Sequence, residues 1–343
     1  MEYRTLGNSG AVVSAFALGT MTFGAEADEK DSHAILNDYA AAGGNFIDTA
    51  DVYSQGTSEE IIGRWLASHP QERDQMVLAS KGRFPMGEGP NDLGTSGRHL
   101  RRALDDSLGR LGVEHIDLYQ MHAWDPFTPI EETLRFLNDA VTSGKIGYYG
   151  FSNFTGWQLT KAVYVAREHG WAPPVTLQPQ YSLLVRGIES EIVPAALDAG
   201  LGLLPWSPLA GGWLSGKYQR DQHPTGQTRL GENAERGMEA WTGRNAEEKT
   251  WQVLDAVLEI AKSHKVSAAQ VALAWLVRQP AVTSVILGAR TTEQLADNLQ
   301  AGSLELSDQD LQRLTGVSEP ELASYPYGVP AIAQRSRKIE GGR

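Results

Sequence analysis

The sequence predicts a single (β/α)8 TIM barrel, an α/β fold in which parallel strands alternate with helices. Two observations carry this prediction. Short apolar or β-branched runs recur along the 343 residues, and most are followed by an amphipathic segment with capping residues at its start. Such alternation implies a parallel sheet with right-handed crossovers, and eight apolar strand segments favour closure over an open sheet. We treat residues 1–343 as one domain in which residues 318–343 form a C-terminal tail.

The elements follow one another in a regular order. The turn "LGNSG" predicts a short N-terminal hairpin before the first strand-helix unit. The predicted barrel strands are "VSAFALGTM", "NFIDT", "MVLASK", "HIDLYQMH", "IGYYGFSN", "VTLQPQYS", "GLLPWSPL" and "TSVILGAR". Predicted helix starts are Thr57 with Glu60, Thr128 with Pro129 and Glu131, Thr155 with Gln158, Ser267 with Gln270, and Thr291 with Gln294. The tryptophans assigned to helices and interpreted as core are Trp65, Trp157, Trp251 and Trp275.

Two long polar stretches interrupt the alternation, one after the third predicted strand and one after the seventh. They are "GRFPMGEGPNDLGTSG" and "YQRDQHPTGQTRLGENAERGMEAWTGRN". Both lie on strand-to-helix connections, the side on which barrels build their active sites, so they are candidate lids. Disorder is the competing interpretation. The tail "PELASYPYGVPAIAQRS" either folds back over the same face or forms an ordered terminus.

Composition excludes several classes of protein. The chain has no cysteine, which removes disulfides, thiolate metal sites and a cysteine nucleophile, and fits a cytoplasmic location. A formal net charge of −12 argues against nucleic-acid or membrane partners. No apolar run approaches the roughly 20 residues that cross a bilayer, and no leader pattern opens the chain. The histidine spacings predict no metal site, and no Rossmann glycine motif or P-loop is present.

Four ionisable residues are expected at one level of the barrel. Asp48, Lys81 and His122 end the second, third and fourth predicted strands, and Tyr53 follows in the loop after Asp48. An ammonium beside the phenol lowers its pKa and makes it a usable proton donor to a carbonyl oxygen. Asp48 would hold Lys81, and a neutral His122 would orient the substrate oxygen. Singly, each residue is more often structural; the coincidence at consecutive strand ends favours a site.

At this point the sequence resembles the aldo-keto reductase superfamily. The segments that carry the resemblance are "GGNFIDTADVYSQGTSEEIIG", "LASKG", "IDLYQMH", "GFSNF" and "PWSPLAGGWLSGKY". It covers the chain from about residue 3 to about residue 317. The closing "GARTTEQLADNL" is more similar to bacterial reductases and potassium-channel β subunits than to the mammalian aldose-reductase branch.

The resemblance implies a reductase that transfers hydride from NADPH to aldehydes or ketones. Its catalytic residues would be Asp48, Tyr53, Lys81 and His122, with Tyr53 as the general acid. The implied cofactor residues are Thr20, Met21 and Asp48 near the nicotinamide ribose; Ser152, Asn153 and Gln178 at the carboxamide; Trp206 on the ring; Ser207, Pro208, Leu209, Gly211 and Lys217 along the pyrophosphate; and Gly288, Arg290, Gln294, Asp297 and Asn298 at the adenosine.

NADPH is expected over NADH because Arg290 offers a fork suited to a 2′-phosphate, beside a helix start near Thr291 that favours anions. The mammalian branch has a lysine where this chain has Gly288 and an arginine where it has Gln294, so the preference depends on Arg290 alone.

Substrate identity is open at this stage. Phe23 and Trp124 follow predicted strands and, with Tyr53 and His122, are the candidate substrate-pocket residues. A Schiff-base aldolase using Lys81 and a nucleotide-binding regulatory subunit with little turnover are the alternatives. The expected partner is a small carbonyl compound, and the oligomeric state is left open.

Overall fold

A parallel sheet forms the centre of the molecule. The computed structural model describes residues 1–226, 228–235, 237–321 and 323–327, and within these ranges the sheet has eight strands. In sheet order they are β10 (Val285–Gly288), β3 (Phe16–Gly19), β4 (Phe46–Asp48), β5 (Val77–Gly82), β6 (Ile116–Met121), β7 (Ile146–Ser152), β8 (Thr176–Gln178) and β9 (Gly202–Leu203).

The two edge strands of this sheet also meet, which closes the barrel. Leu203 forms a parallel bridge with Val282, and the backbone N–H of Ile286 donates to the Pro205 carbonyl oxygen at 3.0 Å. Closure gives the edge strands partners for their backbone groups. The predicted (β/α)8 barrel is therefore confirmed.

The predicted N-terminal hairpin is also present, as antiparallel strands β1 (Tyr3–Thr5) and β2 (Val12–Ser14). Leu6 and Val13 of this segment are fully buried against Phe46, which begins β4, and against Leu118 of β6. The hairpin thus fills one end of the barrel, at the start of β4. The other end, where the strands finish, carries the candidate site.

Helices surround the sheet and bury their apolar faces against it. They are α1 (Glu29–Ala41), α2 (Thr57–Ser68), α3 (Pro70–Arg73), α4 (Gly97–Leu111), α5 (Ile130–Thr142), α6 (Gly156–Glu168), α7 (Ile192–Ala199), α8 (Arg229–Glu232), α9 (Trp241–Ala246), α10 (Glu248–His264), α11 (Ala268–Leu276), α12 (Thr292–Leu299), α13 (Asp308–Val317) and α14 (Ser324–Tyr327). Short 3₁₀ helices span Tyr53–Gly56, Gly187–Ser190, Ala210–Ser215, Gly237–Glu239 and Gln300–Ser303.

Two of the predicted helix caps are wrong. Helix α2 begins at Thr57 itself, after Gly56 in a left-handed conformation, and no side chain caps it. Helix α5 begins at Ile130 after Pro129, because the Thr128 hydroxyl donates to Asp125 Oδ2 at 2.8 Å instead of capping the helix. The caps at Thr155, Ser267 and Thr291 form as predicted.

The long connection after β9 is built around tryptophans. Trp213 and Trp241 stack with ring centroids 5.1 Å apart, and Trp251 of α10 meets Trp213 edge-on at 5.6 Å. Its described part therefore packs as an ordered segment, while its action as a lid stays a prediction. Trp65, Trp251 and Trp275 are buried as expected. Trp157 is 58% exposed, so its assignment to the core is wrong.

Two further features concern the tail and the membrane. The Tyr327 hydroxyl donates to Glu191, the residue before α7, and the tail beyond Tyr327 lies outside the described residues. No helix in the described ranges combines the length and apolar character needed to cross a bilayer.

Candidate active site

The ammonium of Lys81 is the centre of the candidate site. Its Nζ donates to Asp48 Oδ2 at 2.6 Å, to the Thr49 carbonyl oxygen at 2.8 Å and to the Tyr53 hydroxyl at 3.2 Å. Lys81 is fully buried and Asp48 is 2% exposed. The predicted convergence of Asp48, Lys81 and Tyr53 is confirmed, whereas their catalytic roles stay predictions.

Strand register explains how Lys81 reaches Asp48. Asp48 lies opposite Ala79 of β5, and Lys81 is two residues further along the same strand. Side chains two residues apart in a strand point to the same face, so Ala79 and Lys81 both point inward. The small Ala79 leaves room for the long Lys81 side chain to fold back over it and meet the carboxylate.

A sharp turn after β4 brings Tyr53 back over the strand ends. Backbone N–H groups of Thr49 and Asp51 donate to Ala79 and Lys81 of β5, so the ladder continues past the strand. Ser54 and Gln55 then adopt left-handed conformations, with φ of 49° and 52°. Such values are uncommon for residues other than glycine. The return of Tyr53 over Lys81 begins in the turn before it, where the Tyr53 N–H donates to the Ala50 carbonyl oxygen at 3.2 Å. The expected return of this loop is confirmed.

The pKa of Tyr53 differs in direction from the sequence expectation. Burial raises the pKa of this phenol above its usual value, and the opposing effect of the Lys81 charge does not overcome it. The expected lowering is therefore wrong for the protein alone, because a buried hydroxyl resists ionisation more strongly than one ammonium favours it. Tyr53 consequently holds its proton at neutral pH, the form a proton donor needs.

Lys81 has the properties of a fixed cation. Burial alone lowers the pKa of its ammonium, but the charge of Asp48 and the hydrogen bonds to Asp48 and Tyr53 outweigh burial and raise it. A Schiff base requires a neutral, accessible amine. A fully buried ammonium with three acceptors does not meet that requirement, so the geometry argues against the aldolase alternative.

His122 follows β6 directly and faces the Tyr53 ring, with the two ring centroids 5.8 Å apart and nearly perpendicular. Burial, together with the charges of Lys81 and Arg83, holds the pKa of the imidazole well below its usual value. His122 is therefore neutral at physiological pH and carries one N–H donor and one acceptor. That state agrees with the expected role of orienting a substrate oxygen.

Asp48 is also bound on its second oxygen. Gln178 Nε2 donates to Asp48 Oδ1 at 2.8 Å, and Gln120 Nε2 approaches the same atom at 3.4 Å. Gln178, assigned by resemblance to the carboxamide, here supports the carboxylate from the end of β8. Gln120 was missed by the sequence analysis. Its position two residues before His122 on β6 places it on the inward face, a signal that strand alternation provides.

The other residues assigned to the nicotinamide lie at the end of β7 and after β9. Ser152 Oγ donates to the Gln178 carbonyl oxygen at 2.9 Å, and Asn153 Nδ2 donates to the His122 carbonyl oxygen at 2.9 Å. The Trp206 indole N–H donates to Asn153 Oδ1 at 3.1 Å, which fixes its ring plane. A flat, partly exposed indole beside amide groups fits a nicotinamide ring.

Thr20 and Met21 differ in exposure. Thr20 is fully buried and hydrogen-bonds the Asp48 carbonyl oxygen at 3.1 Å, and it accepts from Ser58 at 2.9 Å. Met21 is 42% exposed. Their assignment to the ribose stays a prediction.

The assigned pyrophosphate residues occupy the segment after β9. Ser207 has a left-handed backbone and its hydroxyl oxygen accepts from the Gly211 N–H at 3.3 Å. Gly211 is also left-handed, and Lys217 lies over the Tyr218 ring at 5.3 Å. Pro208 and Leu209 complete this turn. The N–H groups of Ala210 and Gly212 donate to carbonyl oxygens within this turn, so its role at the pyrophosphate stays a prediction.

Several side chains assigned to the adenosine already form hydrogen bonds or ion pairs with other protein residues. Arg290 Nη1 lies 3.2 Å from Glu232 Oε1 and Nη2 lies 4.0 Å from Glu26 Oε1. The Asp297 carboxylate accepts from Ser267 at 2.7 Å and from Gln270 at 2.6 Å. Gln294 accepts from the Arg290 backbone N–H at 3.0 Å, Asn298 is buried, and a side chain at Gly288 would meet open space.

The two aromatic substrate candidates are one core residue and one half-buried residue. Phe23 is fully buried within the core, so its role at a pocket stays a prediction. Trp124 meets Trp157 and Phe154 edge-on, each at 5.3 Å. The sequence analysis had assigned Trp157 to the core, and it did not name Phe84, whose ring lies 4.6 Å from the His122 imidazole.

A second polar region lies beside the site, between the loop after β5 and helix α4. It is a cavity of about 230 Å³ lined by Asp51, Met86, Asp92, His99, Arg102, Ala103, Asp106 and Arg110. Neither carboxylate oxygen of buried Asp51, nor either ring nitrogen of buried His99, has a hydrogen-bond partner among the described residues. Burial, and next the charge of Glu59, raise the pKa of Asp51 to about 7.

Comparison with known protein families agrees with the closed barrel and its cluster at the strand ends. The profile of the Aldo/keto reductase family matches residues 15–319. The chain belongs to the aldo/keto reductase family. Members of this family generally use nicotinamide cofactors, and the oxidoreductase class predicted from sequence is confirmed at this level.

Relatives of this aldo/keto reductase carry several kinds of name. "Uncharacterized oxidoreductase YrpG" of Bacillus subtilis is 40% identical, over 92% of this chain and 96% of that protein. "Probable voltage-gated potassium channel subunit beta" of Oryza sativa is 37% identical over 88% and 91%. "Versiconal hemiacetal acetate reductase" of Aspergillus parasiticus is 33% identical over 92% and 96%. The expected nearness to bacterial reductases and channel β subunits is confirmed.

Proposed function

We propose that this aldo/keto reductase uses NADPH to reduce aldehydes or ketones to alcohols, with Tyr53 as the general acid. The observation that carries the proposal is the 3.2 Å contact between Lys81 Nζ and the Tyr53 hydroxyl, formed while Asp48 holds the same ammonium at 2.6 Å. A protonated phenol beside a fixed cation is suited to give up its proton as negative charge develops on a nearby oxygen.

The proposed reaction balances one hydride against one proton. When bound, NADPH supplies the hydride that the carbonyl carbon accepts, which carries the two electrons of the reduction. Tyr53 donates its hydroxyl proton to the carbonyl oxygen, and the product is an alcohol. The ammonium of Lys81 stabilises the phenolate that remains until a proton from solvent restores it. Neutral His122 holds the substrate oxygen by a hydrogen bond.

The residues present fit a nicotinamide dinucleotide along one edge of the barrel mouth. Trp206, fixed by Asn153, offers a flat surface for the nicotinamide, with Ser152 and Gln178 beside it. The left-handed turn at Ser207 and Gly211 would receive the pyrophosphate. The open space at Gly288 leaves room for the adenosine.

NADPH is proposed over NADH because of Arg290. Its guanidinium is the fork expected to bind a 2′-phosphate. In the protein alone this fork contacts Glu232 and lies near Glu26, so a 2′-phosphate would replace carboxylate oxygens with phosphate oxygens at the same donors. The cytoplasmic location expected from sequence stays a prediction.

A regulatory subunit is the second candidate, and one observation favours it: a relative from Oryza sativa, 37% identical, is named as a probable channel β subunit. Such a protein would bind NADPH but convert carbonyl compounds very slowly. The complete Asp48–Tyr53–Lys81–His122 arrangement favours the reductase, because a pure sensor needs no proton donor at the mouth.

A carbonyl screen separates these candidates. The purified protein is mixed with NADPH, and separately with NADH, over a panel of aldehydes, ketones and quinones, while loss of the reduced cofactor is followed by absorbance. Equilibrium binding of NADPH is measured in parallel by fluorescence. Turnover with NADPH above NADH supports the proposal. Tight NADPH binding without turnover across the panel would favour the regulatory subunit, and absence of binding would overturn both.

A further inference from the structure

Arg83 stands at the mouth of the barrel, two residues after Lys81 and immediately after the end of β5. Its backbone has φ of 134°, in a region that residues other than glycine rarely adopt. The Gly94 N–H donates to the Arg83 carbonyl oxygen at 2.8 Å, which ties the start of the long loop to its end. The loop therefore holds this residue in an unfavourable backbone conformation, a feature that often accompanies functional sites.

The guanidinium of Arg83 lies one ring away from the imidazole of His122. Its Nη2 donates to the Trp124 carbonyl oxygen at 3.2 Å, and its central carbon lies 5.0 Å from the centre of the Phe84 ring. That same ring lies 4.6 Å from the His122 ring. Arg83 is half-buried, so a small substrate held by His122 would have this cation within reach.

Arg83 forms no direct ion pair among the described residues, although its charge acts on nearby Asp125. Its Nε is buried and has no hydrogen-bond acceptor among the described residues. The near acid, Asp125, already accepts from the Thr95 and Phe127 N–H groups at 2.8 and 3.0 Å, and from the Thr128 hydroxyl. A buried donor without an acceptor is unfavourable and favours a ligand that supplies one.

The ionisable groups of the catalytic cluster make no ion pair with Arg83. The Lys81 ammonium is neutralised by Asp48 at 2.6 Å, and His122 is held neutral. Arg83 is therefore a cation at the mouth without an ion-pair partner among the described residues, although the whole chain carries a formal charge of −12. A local charge of this kind acts on a bound ligand at short range, where the distant acidic surface is screened.

We propose that Arg83 binds an anionic group of the substrate, so that the preferred substrates are short carbonyl compounds carrying a carboxylate or phosphate. This inference rests on the proposed reductase function and adds the substrate class. The guanidinium presents a planar fork that matches such oxygens, and Nε is the donor that lacks an acceptor. The single aromatic ring between Arg83 and His122 restricts the match to chains of a few carbon atoms between anion and carbonyl.

The test compares charged and neutral substrates of equal length. Wild-type protein with NADPH is assayed on succinic semialdehyde against butanal, and on glyceraldehyde 3-phosphate against glyceraldehyde. We expect kcat/KM for at least one anionic member to exceed its neutral partner by about 10–100-fold, the range for a hydrogen bond to a charged group. The pair that shows the larger ratio identifies carboxylate or phosphate as the preferred anion.

Variants then test whether Arg83 causes the higher kcat/KM for anionic substrates. Arg83→Met should remove the preference, mainly through KM for the anionic substrate, and leave the neutral aldehyde within about threefold. Arg83→Lys keeps the charge without the fork and should retain part of the preference. The matched control is Arg98→Met, an exposed arginine in the first turn of α4, which should retain the full preference.

The possible results distinguish failure of the Arg83 proposal from failure of the proposed reductase activity. Failure of wild type to reduce any of the four compounds, with the carbonyl panel also negative, would remove the reductase proposal. Reduction of neutral and anionic members at equal kcat/KM would leave the reductase and overturn the role of Arg83. Equal loss on neutral and anionic substrates in both Arg83→Met and Arg83→Lys would likewise overturn it, because that result assigns Arg83 only to loop structure.

Discussion

Lys81 Nζ lies 3.2 Å from the Tyr53 hydroxyl and 4.8 Å from the centre of the Tyr53 ring. The ammonium thus contacts the atom that would lose a proton and also lies near the ring that would share the resulting charge. Because Asp48 fixes the same ammonium from the neighbouring strand, this contact does not depend on a flexible lysine finding its position. Tyr53 is therefore the residue on which proton transfer should depend.

Tyr53→Phe should lower kcat for carbonyl reduction by about 10²–10⁴, the usual contribution of a positioned general acid. The dissociation constant for NADPH should change by less than about threefold, because the variant removes one oxygen and keeps the ring. Steady-state kinetics and fluorescence titration measure the two effects. The matched control is Tyr164→Phe, since Tyr164 is 53% exposed on α6. Near wild-type turnover in Tyr53→Phe would contradict the assigned acid.

The ion pair beneath Tyr53 should be needed for stability as well as for catalysis. Asp48→Ala leaves the Lys81 ammonium fully buried without its counter-charge, which typically destabilises a protein by about 3–5 kcal/mol. Adding Lys81→Met removes the stranded charge, so the double variant should regain much of this loss. Urea unfolding of both single variants and the double variant measures the coupling. A double variant as unstable as the sum of the singles would show that the pair is not coupled.

Sequence reasoning predicted the barrel and the contact between Asp48 and Lys81, with His122 at the next strand end, because both depend on strand ends, which periodicity locates. It failed for properties that depend on how deeply a side chain is buried. The pKa of Tyr53 rises because neighbouring segments cover the phenol, and no spacing in the sequence reports that cover. Trp157 was assigned to the core from its helix, yet it faces Trp124 at the surface. Thr128 has the right spacing for a cap, but Asp125 competes for its hydroxyl.

Cofactor preference should respond in opposite directions to two substitutions at the adenosine end. Arg290→Ala should raise the dissociation constant of NADPH by about 10-fold or more and that of NADH much less, since only NADPH carries the 2′-phosphate. Glu232→Gln removes a carboxylate that lies 3.2 Å from Arg290 Nη1 and competes for the fork. It should tighten NADPH by up to about fivefold, in keeping with a partly exposed pair.

Fluorescence titration of both cofactors against both variants tests this pair. Glu293→Gln is the control, because Glu293 lies in the first turn of α12 and makes no ion pair with Arg290. Equal weakening of NADPH and NADH in Arg290→Ala would remove the 2′-phosphate assignment. An unchanged NADPH affinity in Glu232→Gln would show that the carboxylate does not compete.

Asp51 should make stability depend on pH through the cavity beside α4. Its pKa is raised from 3.8 to about 7 by burial and by Glu59, so the folded state binds its proton more tightly than the unfolded state. Protonation of Asp51 therefore stabilises the folded state. This contribution to the free energy of unfolding is complete below pH 3.8 and is lost as the pH rises to about 7. Asp51→Asn removes this dependence.

The free energy of unfolding of Asp51→Asn, relative to wild type, should rise by up to about 3 kcal/mol between about pH 5 and about pH 8. Urea unfolding at both pH values measures the change. The control is Asp106→Asn, an exposed carboxylate lining the same cavity, which should follow wild type at both pH values. A constant difference between Asp51→Asn and wild type across this range would show that Asp51 ionises alike in folded and unfolded chains. That result would mean that water reaches its carboxylate, because only solvation or an unseen cation would leave a buried and otherwise unpaired group at its usual pKa.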